Sequence, residues 1–210
     1  MKKFVFILFM MLVVPSFTAC DDTSKTNTNV ITKAQLTDKE KMLLSVGSNK
    51  YFAFDFNVDN KYKWVEVWAD RYEHGKKVSN IGKLATGLSV SEGNMIIAAV
   101  EENEKGTSEW TLAINAGGAL SKGETNQEYQ AKEGSSVASA MSVNNSKISI
   151  GDKEIVLANV CYRVSGEKET AFRPLSGEFF DNPEAHMEEI AEYDVVYLLK
   201  CKFYDTEKQP

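Results

Sequence analysis

Tyr51-Phe52-Ala53-Phe54-Asp55-Phe56-Asn57-Val58 alternates without a break, with Phe52, Phe54, Phe56 and Val58 on one side and Tyr51, Ala53, Asp55 and Asn57 on the other. A period of two is the signature of an extended strand with one buried face. Downstream, Asp59-Asn60 supplies a turn, Tyr62 to Tyr72 a second strand, and Glu73-His74-Gly75-Lys76 a second turn. Further strands are expected at Asn94 to Glu101 and Ser108 to Asn115, parted by the polar loop Asn103 to Thr107. Gly117-Gly118 opens a long polar stretch to about Ser136, which reads as a mobile loop. Lys147 to Ile150, a turn at Gly151-Asp152, and Glu154 to Val164 read as a hairpin. Asp194 to Tyr204 reads as a last strand, apolar enough to be central.

Two helices interrupt this pattern. Thr37 and Glu40 form a capping box ahead of Met42, Leu43 and Val46, and that helix should end at Gly47. Asn182-Pro183 starts the other, with Asn182 as cap and Pro183 in the first helical position, running through Ala191. Many short strands with two short helices make the fold class mainly β: an antiparallel β-sandwich or barrel.

Upstream of the strands the chain has a different character. Met1-Lys2-Lys3 is cationic, and Phe4 to Val14 is an apolar run of eleven residues that stops at Pro15-Ser16. That is the layout of a secretory signal, about half the roughly 20 residues a membrane-spanning helix needs. The run ends in Phe17-Thr18-Ala19-Cys20, which resembles the lipobox of bacterial lipoproteins: small residues before an obligatory cysteine. The resemblance implies that the Cys20 thiol carries diacylglycerol and that a dedicated signal peptidase cuts after Ala19. Two acyl chains would give firm attachment, since each buried methylene contributes roughly 0.8 kcal/mol.

Lys63-Trp64-Val65-Glu66-Val67-Trp68 and Tyr193-Asp194-Val195-Val196-Tyr197-Leu198-Leu199-Lys200 look like segments of uncharacterised lipoproteins of low-GC Gram-positive bacteria, a likeness that implies location and no activity. In Gram-negative lipoproteins an Asp directly after the cysteine, as Asp21 is here, resembles a signal for retention in the inner membrane. The expected location is therefore the outer face of the cytoplasmic membrane.

The organisation expected is a signal peptide over residues 1–19, lipidated Cys20 with a flexible tether through residue 36, and one β-rich extracytoplasmic domain over 37–210. Asp21 to Gln35 is Thr, Asn, Ser and Lys with few apolar residues, too few to offset its ordering entropy, and its typical span is roughly 20 Å. Without Lys2 and Lys3 the 24 basic residues fall to 22 against 30 acidic ones, a net charge near −8. Such a balance argues against a nucleic-acid partner and against docking through a basic patch.

Cys161 and Cys201 invite a disulfide in an oxidising compartment. Strand parity opposes it, because Cys161 shares a face with Asn159 and Arg163 while Cys201 sits with Tyr197, Leu199 and Phe203. Opposed cysteines miss the bridge geometry unless a bulge reverses one, which favours buried free thiols.

Most catalytic patterns are incomplete. Gly134-Ser135-Ser136-Val137-Ala138 lacks the final Gly of G-x-S-x-G, and Ser165 with Lys168 matches S-x-x-K in turn composition rather than on a helix. Gly118 and Gly123 have P-loop spacing, but Glu124 stands where Lys is required. His74 lies in a turn, and His186 with Glu189 gives two ligands where zinc takes three or four. No metal, cofactor or catalytic residue is assigned.

One constellation stands out. Val65, Val67 and Ala69 point one way, leaving Trp64, Glu66, Trp68, Asp70 and Tyr72 on the opposite face. Aromatic rings interleaved with carboxylates resemble platforms on which sugar rings stack. The same five residues also fit a covered, buried face of the strand. The function expected is a non-catalytic envelope module, binding a wall polymer or another envelope protein. The alternative is a cell-wall glycan hydrolase using paired carboxylates such as Glu66 and Asp70. Four residues along a strand is about 13 Å, beyond the roughly 5–9.5 Å such pairs need, so another strand would have to supply the partner.

Overall fold

The computed structural model describes residues 28–102, 107–128, 136–165 and 172–206. The signal sequence, Cys20, the tether up to residue 27, residues 103–106 of the expected polar loop, Gly134-Ser135 and Lys168 lie outside those residues. In chain order the elements are β1 (Val30–Lys33), α1 (Asp38–Gly47), β2 (Lys50–Asn57), β3 (Trp64–Glu73), β4 (Lys76–Gly87), β5 (Glu92–Glu102) and β6 (Thr107–Ala116). They continue with β7 (Ala119–Glu128), β8 (Ser136–Val143), β9 (Ile148–Ser149), β10 (Ile155–Ser165), α2 (Gly177–Asp181), a 3₁₀ segment (Pro183–Glu192) and β11 (Val195–Tyr204). One sheet has the order β7-β6-β5-β2-β1-β9 and the other β4-β3-β11-β10-β8, and every neighbouring pair is antiparallel. Among the described residues no strand is shared between the two sheets, so the fold is a β-sandwich and not a closed barrel.

Alternation does what the sequence asks of it in β2, where Phe52, Phe54 and Phe56 are buried between the sheets. β11 is the middle strand of its sheet, as its composition suggests, and both its faces are covered. Inward, Tyr197 packs against Trp110 of the opposite sheet at 4.9 Å and Tyr162 at 5.8 Å, while Phe203 meets Phe56 at 5.4 Å. Outward, Val196 and Leu198 join Cys161, Phe179, Ile190 and Tyr193 in a second cluster beneath α2 and the 3₁₀ segment. Glu189 ties those two pieces together by accepting from both the amide and the hydroxyl of Ser176, the cap of α2, at 2.8 and 2.7 Å.

Several expectations need correction. The tether does not reach residue 36, because Val30–Lys33 pairs with both β2 and β9. The polar stretch after Gly117-Gly118 is not a loop throughout. Those glycines, at φ 68° and 81°, make a two-residue turn, and β7 then pairs with β6 along its whole length, from Ala116↔Ala119 to Thr107↔Glu128. Residues 147–150 and 154–164 do not form a hairpin, since β9 joins β1 in one sheet while β10 lies between β8 and β11 in the other. The second helix is a 3₁₀ segment broken at His186, and Asn182 makes no side-chain cap. α1 has the capping box, with the Thr37 amide donating to Glu40 at 2.7 Å and the Glu40 amide to Thr37 at 3.3 Å. Its apolar side is nevertheless exposed at Met42, Leu43 and Val46. Among the described residues no helix is long and apolar enough to cross a membrane.

Both remaining cysteines are free and buried. Cys201 belongs to the core between the sheets and Cys161 to the outer cluster, so the sheet itself separates them. Burial pushes the Cys161 thiol up to about 12, and it raises Cys201 as well. A thiol reagent at pH 8 should therefore modify neither in the native protein and both after denaturant is added, which mass spectrometry of the labelled chain would read. Deleting residues 195–210 removes the middle strand and with it both clusters; circular dichroism should then show no cooperative thermal transition.

Candidate functional site

The constellation on β3 is not an open platform, which corrects that expectation. Glu66, Trp68, Asp70 and Tyr72 are buried and Trp64 is half-buried. Trp64 lies across Gly87, its register partner on β4, where an added Cβ would sit 3.4 Å from the ring. Trp68 donates its indole N–H to Asp70 Oδ1 at 3.0 Å, and Lys200, its register partner on β11, brings its ammonium to the same carboxylate. Long side chains from β4 and β11 thus roof the aromatic rings over.

That roof is a charged network. The Asp70 side chain is fully buried, with Lys77 Nζ at 2.8 Å and Lys200 Nζ at 2.9 Å, and Lys200 reaches on to Glu154 at 3.1 Å. Burial alone would raise the Asp70 pKa, but hydrogen bonds from Lys77 and Lys200 outweigh it and hold the carboxyl below its ordinary value. Burial alone would likewise lower Lys200, and Asp70 holds it above its ordinary value instead. Glu66 accepts from the Tyr204 hydroxyl at 2.7 Å and pairs with Lys83 at 3.2 Å. Burial, then the Glu66 carboxylate, pushes the Tyr204 phenol up to about 12, so it stays protonated and keeps donating. A general acid needs a raised carboxyl pKa and access to substrate, and Asp70 has neither.

Metal chemistry finds no better support. Among the described residues no group of three or more His, Cys, Asp and Glu could hold an ion. His186 lies 3.3 Å from Glu189, the carboxylate already holding Ser176, and His74 lies 3.7 Å from Asp194 beside the β3–β4 turn.

Among the described residues, two surface hollows have room for a ligand. One, of about 480 Å³, lies on the outer face of the six-stranded sheet, where Asp55, Asn94 and Asn115 stand in register across three strands. Burial, with the Glu40 carboxylate nearby, raises the Asp55 pKa. The other, of about 830 Å³, lies where the two sheets part, between β8 and the segment following β1. Leu36, Tyr51 and Met141 give it apolar walls, and among the described residues its charged lining is Lys33, Lys41 and Lys147. Lys33 spans its floor, donating to Asn145 Oδ1 at 3.2 Å.

Nothing in the sequence reading singled out this cleft. Its residues come from separate segments, and β8, Ser-Val-Ala-Ser-Ala-Met-Ser-Val, has too weak an apolar pattern to stand out as a strand.

Residues 30–203 match the YgaN domain. The chain belongs to the YgaN domain family. No curated protein and no solved structure matches it. The YgaN domain begins at the first residue of β1 and ends at Phe203, one residue short of the end of β11. It therefore contains both sheets, the charged roof and the cleft, while the lipobox-like segment and Cys20 precede it.

The roof sets two measurable expectations. Trp68→Ala should cost about 3–5 kcal/mol by urea denaturation, a core-type loss rather than a surface one. Asp70→Asn leaves two ammonium groups beside an uncharged amide and should cost about 3–5 kcal/mol at pH 7. Because the folded Asp70 pKa is depressed, its contribution is present above the unfolded value of about 3.9 and is lost as pH falls through the folded one. The gap between wild type and Asp70→Asn should therefore narrow as the pH drops below about 4, and a gap independent of pH would contradict this assignment.

Proposed function

We propose that this chain is an exported lipoprotein, cut before Cys20 and held by lipid on the outer face of the cytoplasmic membrane, with its YgaN domain acting as a non-catalytic binding module. The observation that carries this reading is the spacing of anchor and domain. Phe17-Thr18-Ala19-Cys20 stands ten residues ahead of Val30, the first residue of both β1 and the family match. Asn29 is already fixed to the fold, donating its amide to Asp59 at 2.8 Å and accepting from the Asp59 N–H at 2.9 Å. Even fully extended, the segment from Cys20 to Asn29 reaches only about 30 Å, so the domain works close to its membrane.

Binding is favoured over catalysis by the state of the carboxylates. Glu66 and Asp70, the pair a hydrolase would use, each neutralise lysines inside the roof. The wall-polymer reading has lost the open aromatic face that recommended it. A protein partner in the envelope fits the larger cleft better, since its apolar walls and cationic groups belong to a recognition surface rather than a reaction centre.

The test is metabolic labelling with an alkyne-bearing palmitate. Wild-type protein should take the label and sediment with membranes; Cys20→Ala should lose the label and accumulate as the uncut precursor. An unlabelled wild-type protein released into the medium would overturn the proposal.

A further inference from the structure

The four outer strands of the sandwich are not protected alike. β4 carries Lys76, Lys77 and Lys83 and two irregularities in register, β7 carries the Lys122–Glu124 ion pair, and β9 is two residues long. Charge, bulges and brevity are the usual devices that stop an edge from pairing with another chain. β8 has none of them. Its eight residues include no charge, proline or glycine, and it pairs with β10 in unbroken register from Val143↔Ala158 to Ser136↔Ser165. Among the described residues no strand lies on its other side.

Beside this bare edge the sandwich is open. Along the opposite side the sheets meet, with the Ser121 hydroxyl donating to Thr86 at 3.1 Å and Gly82 pressed against Leu112. At β8 they part. Val137 and Val143 pack on the core between the sheets, and Met141, on the same face of the strand, is 48% exposed because the facing sheet stops short of it. The space left is the cleft of about 830 Å³, whose three charged lining residues are all lysines in a chain whose overall balance is −6. Lys41 has only an exposed partner, Asp38 at 3.4 Å.

We infer that β8 and this cleft take an extended acidic segment of another envelope protein, added as a sixth strand. This rests on the binding-module reading above and names the partner class for it. The segment's backbone would pair with β8, its apolar side chains would cover Met141 and Leu36, and its carboxylates would meet Lys33, Lys41 and Lys147. A second copy of this chain fits less well, since pairing β8 with β8 would bring two sets of three lysines together.

The experiment uses the full chain in detergent and a fluorescent ten-residue peptide, Glu-Glu-Val-Val-Glu-Glu-Val-Val-Glu-Glu, which presents both carboxylates and valines on each face of a strand, read by anisotropy. Its controls are the Lys-for-Glu peptide, the acidic peptide N-methylated at alternate residues, and dextran sulfate. The acidic peptide should bind at least about tenfold more tightly than either peptide control, and Lys33→Glu/Lys147→Glu and Met141→Glu should each weaken it about tenfold. All three positions are exposed, so these variants should keep the wild-type melting temperature, and any that does not is replaced by a test of peptide binding at raised salt, which must weaken it.

No binding up to about 1 mM peptide overturns the inference. So does binding that ignores N-methylation or is matched by dextran sulfate, which would mark a general polyanion site, and so does a dimer in sedimentation that Met141→Glu dissociates. Palmitate labelling separates this inference from the reading beneath it: a labelled protein that ignores the peptide overturns only the cleft assignment, and an unlabelled protein that binds it overturns only the anchor.

Discussion

Val195–Tyr204 is apolar along its inner face and over the first half of its outer one, and the rest of the molecule is arranged to cover it. Its inward residues, Val195, Tyr197, Leu199, Cys201 and Phe203, demand a second sheet, which β2, β5 and β6 provide through Phe54, Met95, Ile97, Trp110 and Ile114. Its outward residues, Val196 and Leu198, demand a second cover, which the short helical pieces before it provide through Phe179 and Ile190. A strand with one solvated face would have needed only the sandwich. Two-sided burial explains why α2 and the 3₁₀ segment sit on the outside of the five-stranded sheet, and why Glu189 is spent on Ser176 rather than left in water.

The helical cover runs out along β11 beyond Leu198, where Lys200 stands opposite Trp68, and there a different device takes over. Trp68 is as apolar as Leu198, but what lies over it is a lattice of lysines and acids from β4 and β11. Desolvating Asp70 is costly, and the cost is met by two ammonium groups and an indole N–H directed at one carboxylate. Long lysine stems shield the rings while their charged ends remain paired. What resembles a ligand platform in one dimension is, in three, a closed surface whose ligands are the protein's own side chains.

The elements legible in the sequence are those whose partners lie on one side only. Phe52, Phe54 and Phe56 alternate cleanly because β2 has one face in the core, and the capping box at Thr37 is a purely local signal. β7 was hidden because Ser121, Lys122, Glu124, Thr125 and Asn126 belong to a peripheral strand whose pairing rests on backbone hydrogen bonds more than on burial. Val30–Lys33 is too short to show a period, and β9 and β10, near neighbours in the chain, separate into different sheets, which no local pattern encodes. Parity did place Cys161 and Cys201 on opposite faces, even though a register shift between Val156 and Ala158 leaves Val156 in the outer cluster and Ala158 in the core between the sheets. For the site, parity correctly gathered Trp64, Glu66, Trp68, Asp70 and Tyr72 on one face. Whether that face was covered depended on Lys77 and Lys200, distant in sequence.

One short strand links the two functional readings. β1 receives the chain from the proposed anchor at Val30 and borders the cleft at Lys33, and four residues of strand span only about 10 Å between first and last Cα. In the proposed arrangement, with lipid on Cys20, whatever occupies the cleft is held near the membrane by the same element that receives the tether. The hold is slender, since β1 pairs over four residues with β2 and two with β9. A strand added along β8 would lie on the far wall of the cleft from β1 and bring the two sheets into contact through its side chains on the side where they part.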